Sequence, residues 1–184
     1  KGLLGVEGRQ PSNEEVARVS SMKDIIFDGF LEASSKGIEG GDPAILVDET
    51  FGIQVQNRAK DMGIKLAAPV EKSGQKIFDF EYGDNFGEKI KEVNADFVKI
   101  LVRWNPDDDS ETRQIQGERI KTLSDWLDEN ERKFLLEFLV PASEEQLASV
   151  DGDQSRYDSE IRPKLAVQVV EEMRERGADP DIWK

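Results

Sequence analysis

The sequence predicts a parallel α/β fold, a (β/α)8 barrel in incomplete form, and three observations support that prediction. Apolar runs of strand length alternate along the chain with longer segments of helical period, a pattern typical of right-handed βαβ units and a parallel sheet. No G-x-G-x-x-G or G-x-x-x-x-G-K-[ST] loop follows a strand, which disfavours the nucleotide-binding doubly wound folds. Charged residues recur at the carboxyl ends of strands, where barrel enzymes place catalytic groups.

The first part of the chain predicts two helices and two strands. The segment SNEE at residues 12–15 has the capping-box pattern, and the apolar residues after it predict one long helix that Gly37 ends. A short strand, AILVD at residues 44–48, leads into a helix that stops at Gly63. The run IKLAAPV at residues 64–70 predicts the next strand.

The remainder of the chain repeats the alternation. FVKILVRW at residues 97–104 and KFLLEFLVP at residues 133–141 predict strands, and DIWK at residues 181–184 predicts the start of a fifth. Helical spacing covers the segments between them: Phe86 to Val93, Ile115 to Leu127, a capping box at Ser143, and Ile161 to Gly177.

The length predicts part of a barrel. A whole barrel takes about 250 residues, whereas this sequence has 184, begins with a loop and a helix, and stops on a beginning strand. We therefore expect one truncated barrel domain over residues 1–184 that holds strands two to six.

Composition excludes several classes of function. The sequence has no cysteine and no histidine, so acid/base chemistry would fall to Asp, Glu, Lys, Tyr or water, and a metal site would have only oxygen ligands. A net charge of −14 disfavours a nucleic-acid partner. No run approaches the roughly 20 apolar residues of a membrane span, and no signal peptide is recognisable, so we expect a cytoplasmic protein without a membrane partner.

Glu137 is the first candidate site residue. It lies inside the apolar run of residues 133–141, where both alternating sets of positions are apolar, and this pattern predicts a strand covered on both sides. Burying a carboxylate is costly unless it is paired or protonated. The residue is therefore either a functional glutamate or half of a structural ion pair.

Two cations share one face of the strand at residues 97–104. Period-two geometry places Lys99, Leu101 and Arg103 together. Lys99 and Arg103 either balance nearby carboxylates or form an anion site, with the guanidinium as a fork and the ammonium as a point charge.

Lys184 is predicted to lie beside Glu137, because the same parity places both side chains on one face of adjacent strands. A lysine in a partly dry pocket can attack a carbonyl to form an imine, and a neighbouring glutamate can move the protons. The alternative is a solvent-exposed residue at a chain end.

Several motifs together resemble one known family. The segments GVEGR, ILVDETFG, PVEKSGQ, FVKILVRWNP, FLLEFLVPA, RYDSEIRP and DIWK are similar to the aldolase-like (DUF2090) domain of myo-inositol catabolism. That domain is found in the C-terminal part of bifunctional 5-dehydro-2-deoxygluconokinase and is related to tagatose-bisphosphate aldolase. The similarity covers nearly the whole chain.

The resemblance implies a class I aldolase barrel without a metal or other cofactor. Lys184 matches the Schiff-base lysine, Glu137 the acid/base glutamate, and Lys99 a lysine near the substrate. Strand-end position adds Asp48, Glu71, Lys72 and Arg103 as substrate-binding candidates, although Asp48 and Glu71 could simply hold the cations. The expected substrate is a phosphorylated keto sugar acid such as 2-deoxy-5-keto-gluconate 6-phosphate, and a fused kinase and a homo-oligomer are further expected partners.

The chain also departs from the family's pattern. The family's first strand, its last two strands and the glutamate expected just after the lysine are missing, so this segment alone is expected to be a poor enzyme. Two other functions remain open: a non-catalytic sugar-phosphate-binding or scaffold domain attached to a kinase, and a metal-assisted barrel enzyme with Asp48, Glu49 and Glu71 as ligands.

Overall fold

A computed structural model describes residues 10–37 and 43–184. The chain forms two compact units, residues 1–69 and residues 70–184. Five strands alternate with helices along it, and the strand pairs described within each unit are parallel. The predicted parallel α/β class is therefore confirmed. The GVEGR motif at residues 5–9 lies outside the described residues.

The first unit contains two helices and one pair of strands. Helix α1, Asn13–Ser35, begins with the predicted capping box, in which Ser12 and Glu15 exchange backbone and side-chain hydrogen bonds. Strand β1, Ala44–Leu46, pairs in parallel with β2, Lys65–Pro69. Helix α2, Glu49–Asp61, connects the two strands, and Gly63 takes a positive φ of 68° just beyond its end.

The second unit contains three parallel strands in sequence order. Strand β3, Phe97–Arg103, pairs with β4, Lys133–Leu139, which pairs with β5, Ile182–Trp183. The helices are α3 (Phe86–Val93, after a 3₁₀ turn at Gly83–Asn85), α4 (Ser110–Glu129), α5 (Glu144–Ala148), α6 (Gln154–Arg156) and α7 (Arg162–Glu175), with a π-helical segment at Tyr157–Ile161. Within the described residues, no helix is both long enough and apolar enough to cross a membrane.

One face of this three-stranded sheet packs against helices. Its core combines alternate strand residues with apolar residues of the helices; the strand residues are Val98, Ile100, Val102, Phe134 and Leu136, and the helix residues include Ile90, Ile120, Leu123, Leu127, Val169 and Met173. Leu136 and Ile100 are fully buried. Full burial of a Leu or Ile side chain contributes about 1.5–3 kcal/mol, so this layer holds the unit together.

The opposite face differs from the sequence-based prediction. KFLLEFLVP was expected to be covered on both sides, but Leu139 on the second face is 44% exposed and Leu135 is half-buried. The helices that contribute to the core of this unit pack on the first face, which explains the difference. The second face thus leaves room for charged side chains beside apolar ones.

Candidate functional site

Lys99 lies on β3, on the second face of the sheet. The residue is 5% exposed, although it carries an ammonium group. Its Nζ donates a hydrogen bond to Glu71 Oε1 at 2.6 Å and lies 3.3 Å from Glu137 Oε2. The β3–β4 register aligns Lys99 with Leu135 and Leu101 with Glu137, so the two charged side chains meet diagonally on one face. A buried ammonium requires such partners.

Glu137 bridges two lysines with its two carboxylate oxygens. Oε2 lies near Lys99, and Oε1 is 3.1 Å from Lys184 Nζ. Leu135 pairs with Ile182 and Leu136 with Trp183, and continuing this register places Lys184 beside Glu137. Backbone bonds from Lys184 N to Leu136 O and from Phe138 N to Lys184 O fix the register. The predicted proximity of Lys99, Glu137 and Lys184 is therefore confirmed.

Glu71 completes the cluster from a segment just after β2. A bridge between Glu71 and Phe80 turns this segment back on itself, with Glu81 N bonding to Val70 O and Lys72 N to Asp79 O. Glu71 Oε1 accepts from Lys99, whereas Oε2 is buried and has no hydrogen-bond partner among the described residues. Burial raises the pKa of the Glu71 carboxyl, and the bond and charge of Lys99 oppose part of that rise.

The pKa of Glu137 moves in the other direction. Burial is the largest single influence and acts to raise it, but the hydrogen bonds and charges of Lys184 and Lys99 together outweigh burial and hold the pKa below its ordinary value. The two carboxyl groups that share Lys99 thus differ in proton affinity. Glu137 is an ionised carboxylate near neutral pH, a state that suits a proton acceptor.

Exposure rises within the cluster from Lys99 to Lys184. The Lys99 side chain is buried, those of Glu71 and Glu137 are half-buried, and that of Lys184 is 59% exposed. Among the four groups, Lys184 therefore has the freest access to a solute. The arrangement places an accessible amine beside an ionised carboxylate, with a buried ion pair behind them.

The remaining predicted residues make contacts other than those of this cluster. Arg103 is exposed at the end of β3, where Nη1 donates to Gln75 O at 3.1 Å, and Lys72 is exposed in the same returning segment. Asp48 belongs to the first unit, where its carboxylate accepts from Phe51 N at 2.9 Å to cap α2 and also pairs with Lys23. Asp48 therefore has a local structural role there.

The metal-dependent alternative finds no ligand set in the described part of the chain. There, no three Asp or Glu side chains are grouped as ligands of a metal ion would be. Glu71, one of the proposed ligands, is instead hydrogen-bonded to Lys99.

A buried amide pair that no sequence pattern predicted joins the loops after β3 and β4. Asn105 Nδ2 donates to Pro141 O at 2.8 Å and to Gln146 Oε1 at 2.7 Å, and Gln146 Nε2 donates to Asp107 Oδ2 at 2.7 Å. The sequence predicts the second capping box, at Ser143, but no sequence pattern indicates that Gln146 of this box binds Asn105.

A buried tyrosine holds the end of β4 from another direction. Tyr157, in the π-helical segment, is fully buried, and its hydroxyl donates to Val140 O at 2.9 Å. Tyr157 and Asn105 thus anchor the backbone just after β4. They bind the carbonyl oxygens of Val140 and Pro141, which lie three and four residues beyond Glu137. The RYDSEIRP motif contains this tyrosine, but nothing in its local sequence indicated the contact.

The chain is similar to a known protein family. A model described as an uncharacterized protein conserved in bacteria, DUF2090, matches residues 6–184. No curated protein matches the chain.

Proposed function

The chain belongs to the DUF2090 family, and from its lysine–glutamate cluster we propose that it is a class I, Schiff-base aldolase-type lyase. The proposed substrate is a phosphorylated keto sugar acid such as 2-deoxy-5-keto-gluconate 6-phosphate, in inositol catabolism. One observation carries the proposal: Glu137 contacts the exposed Lys184 at 3.1 Å with one oxygen and the buried Lys99 at 3.3 Å with the other.

Glu137 is suited to prepare Lys184 for attack. The Oε1 atom of the ionised Glu137 lies where it can accept a proton from Nζ, and because the pKa of Glu137 is lowered, this transfer is uphill and must be drawn forward by attack of the amine on the substrate. The neutral amine then attacks the ketone carbon. The former carbonyl oxygen takes up protons and leaves as water, which gives an iminium.

Cleavage follows from the iminium acting as an electron sink. The β-hydroxyl group loses its proton to a carboxylate, the bond between the α and β carbons breaks, and the electron pair moves into the iminium to give an enamine and a free aldehyde. Protonation of the enamine carbon and hydrolysis by water then release the ketone product and restore Lys184. Glu137 is the proposed carrier of these protons.

Lys99 and Arg103 are proposed to hold the anionic groups of the substrate. Glu71 and Glu137 hold the Lys99 ammonium in one position, in which it would meet a ligand. Arg103 is exposed at the end of β3. Lys72 adds another cation. It lies in the same segment as Gln75, whose carbonyl oxygen accepts a hydrogen bond from Arg103. Glu71 holds Lys99, and Asp48 stays a weaker candidate because its carboxylate already caps a helix.

A (β/α)8 barrel is the proposed architecture, with the five strands as strands two to six. Two observations support it: consecutive strands are parallel neighbours within each unit, and the charged side chains face away from the helices in the second unit. Barrel enzymes have both features, since helices cover the outside and catalytic groups face the shared interior.

Reductive trapping tests the proposal. The full-length protein is incubated with 2-deoxy-5-keto-gluconate 6-phosphate and borohydride, and the modified residue is found by mass spectrometry. We expect the adduct on Lys184 and none in Lys184→Arg, which keeps the charge beside Glu137. Lys133→Arg, at the other end of β4, is the matched control and should trap normally. An adduct that persists in Lys184→Arg overturns the assignment.

A non-catalytic sugar-phosphate-binding or scaffold domain associated with a kinase is the second candidate. The observation in its favour is that the charges of the cluster already satisfy one another, as a static ion-pair network would. This function predicts binding of the sugar phosphate without an adduct, and nearly unchanged affinity in Glu137→Gln. Calorimetric titration of the same variants distinguishes the two functions.

A further inference from the structure

Helix α1 presents an apolar strip to solvent on the side away from the first unit's core. Ile25 is 70% exposed and Ile26 72%, and Met22 is also exposed. A Cβ built at Gly29 would meet no described atom within 4 Å, so this position is open as well. Phe27, on the other side of the helix, is buried. Adjacent isoleucines with this exposure form a small apolar patch, which a partner could cover.

The contacts of α1 with α2 show that the strip faces outward. Arg58 of α2 binds Asp24 at 3.0 Å and Asp28 at 2.6 Å. Met22, Ile25 and Gly29 are three or four residues apart and therefore share one helix face, turned away from Phe27.

Charged residues flank this strip in an order that is self-complementary. On the same face, an acid and a base, Glu14 and Arg18, precede the apolar centre, and an acid and a base, Glu32 and Lys36, follow it. All four are exposed, and Glu32 and Lys36 form an i,i+4 pair at 2.5 Å. Such an exposed pair is weak and can exchange partners at little cost.

We propose that this face of α1 binds a second copy of the chain through antiparallel pairing of the two α1 helices about a two-fold axis at Ile25. Ile25 then meets the same residue of the other copy, and Met22 lies over Gly29, whose missing side chain allows close approach. Arg18 faces Glu32 and Glu14 faces Lys36, each twice by symmetry. A parallel pairing would instead place Arg18 against Arg18 and Glu32 against Glu32.

The expected dimer is weak and depends on protein concentration. A helix of 23 residues is about 34 Å long, and one helix pair offers less area than the 1,200–2,000 Å², roughly, of a stable interface. The net charge of −14 on each copy also opposes association. The interface requires no part of the lysine–glutamate cluster, so its failure and that of the proposed aldolase function are separable.

Sedimentation velocity of the full-length protein over a wide concentration range tests the surface. We expect a reversible dimer, and Ile25→Glu should weaken it at least about tenfold, because two carboxylates then meet at the axis. Since Ile25 is exposed, the variant should keep the circular dichroism spectrum and melting temperature. Val167→Glu, at a 59% exposed position on α7, is the matched control and should leave the dimer unchanged.

Charge exchange tests the antiparallel order. Arg18→Glu and Glu32→Arg should each weaken the dimer by about tenfold, since two ion pairs per dimer become repulsive, and the double variant should restore it. Ile25→Cys adds a cysteine to a chain that has none, so mild oxidation should link two copies at the axis. A protein that stays monomeric at every concentration overturns the proposal. A dimer that survives Ile25→Glu, or that the double variant fails to restore, also overturns it.

Discussion

The two faces of β3, β4 and β5 differ in what their side chains do, although neighbouring residues of one strand alternate between them. One face buries Ile100, Leu136 and their neighbours against helices, and the other carries Lys99, Glu137 and Lys184 among partly exposed leucines. The first face can supply stability through apolar burial, so the second face can hold charged side chains that the apolar core does not require. Substitutions on the two faces should therefore have separable effects.

The largest expected effect comes from the apolar face. Leu136→Ala removes a fully buried side chain and should lower the free energy of unfolding by about 4 kcal/mol, through lost burial and the cavity left behind. Leu139→Ala, in the same strand on the other face, should cost less than about 1 kcal/mol because Leu139 is already 44% exposed. Urea denaturation of both variants measures the difference. Equal losses would contradict the division between the faces.

Lys99 is expected to be the exception on the charged face. Lys99→Met leaves Glu71 and Glu137 without their shared cation and should cost about 3 kcal/mol, because an unpaired buried carboxylate remains. Lys184→Met removes a mostly exposed partner and should cost less than about 1 kcal/mol. Combining Glu71→Gln with Lys99→Met should recover part of the loss. If Lys99→Met were as mild as Lys184→Met, the buried ion pair would contribute little to folding.

The two glutamates should differ in how pH changes stability. The pKa of Glu71 is raised in the fold, so its contribution is largest below the ordinary value of 4.5 and falls as pH rises through the folded pKa. The pKa of Glu137 is lowered, so its contribution is present above 4.5 and falls as pH drops through the folded pKa. The urea midpoint of each variant, Glu71→Gln and Glu137→Gln, is subtracted from that of the wild type at several pH values between about 3 and 7. The two differences should change with pH in opposite directions. Parallel slopes would contradict the assignment.

Local sequence pattern was sufficient to predict the order of strands and helices and the proximity of Glu137 to Lys99 and Lys184. Period two along β3 and β4 put Lys99 and Glu137 on one face, and the parallel sheet brought Lys184 next to Glu137. These inferences succeeded because both periodicity and parallel pairing are set over a few residues.

The contacts that the sequence did not reveal join residues far apart in the chain. Tyr157 reaches Val140, and Asn105 reaches Gln146, through loops whose paths no periodicity specifies. The exposure of Leu139 was also missed, because an apolar run looks the same whether one or both of its faces are covered. The strand-end position of Asp48 groups it with the site, but the same residue also stands where the N-cap of α2 belongs.

Arg103 offers the smallest change in stability and a direct test of the exposed edge of the charged face. Arg103→Gln should alter the free energy of unfolding by less than about 0.5 kcal/mol, since the side chain is exposed and donates only to Gln75 O among the bonds described. If Arg103 holds a phosphate or carboxylate in the proposed reaction, KM should rise about tenfold while kcat changes little, because a charged hydrogen bond to the substrate is lost equally in the ground and transition states. Arg103→Lys keeps the charge but not the two-pronged guanidinium, so its KM should lie between those of the wild type and Arg103→Gln. Steady-state kinetics at two salt concentrations measure this, and an unchanged KM in Arg103→Gln would remove Arg103 from the anion site while leaving Lys99 in place.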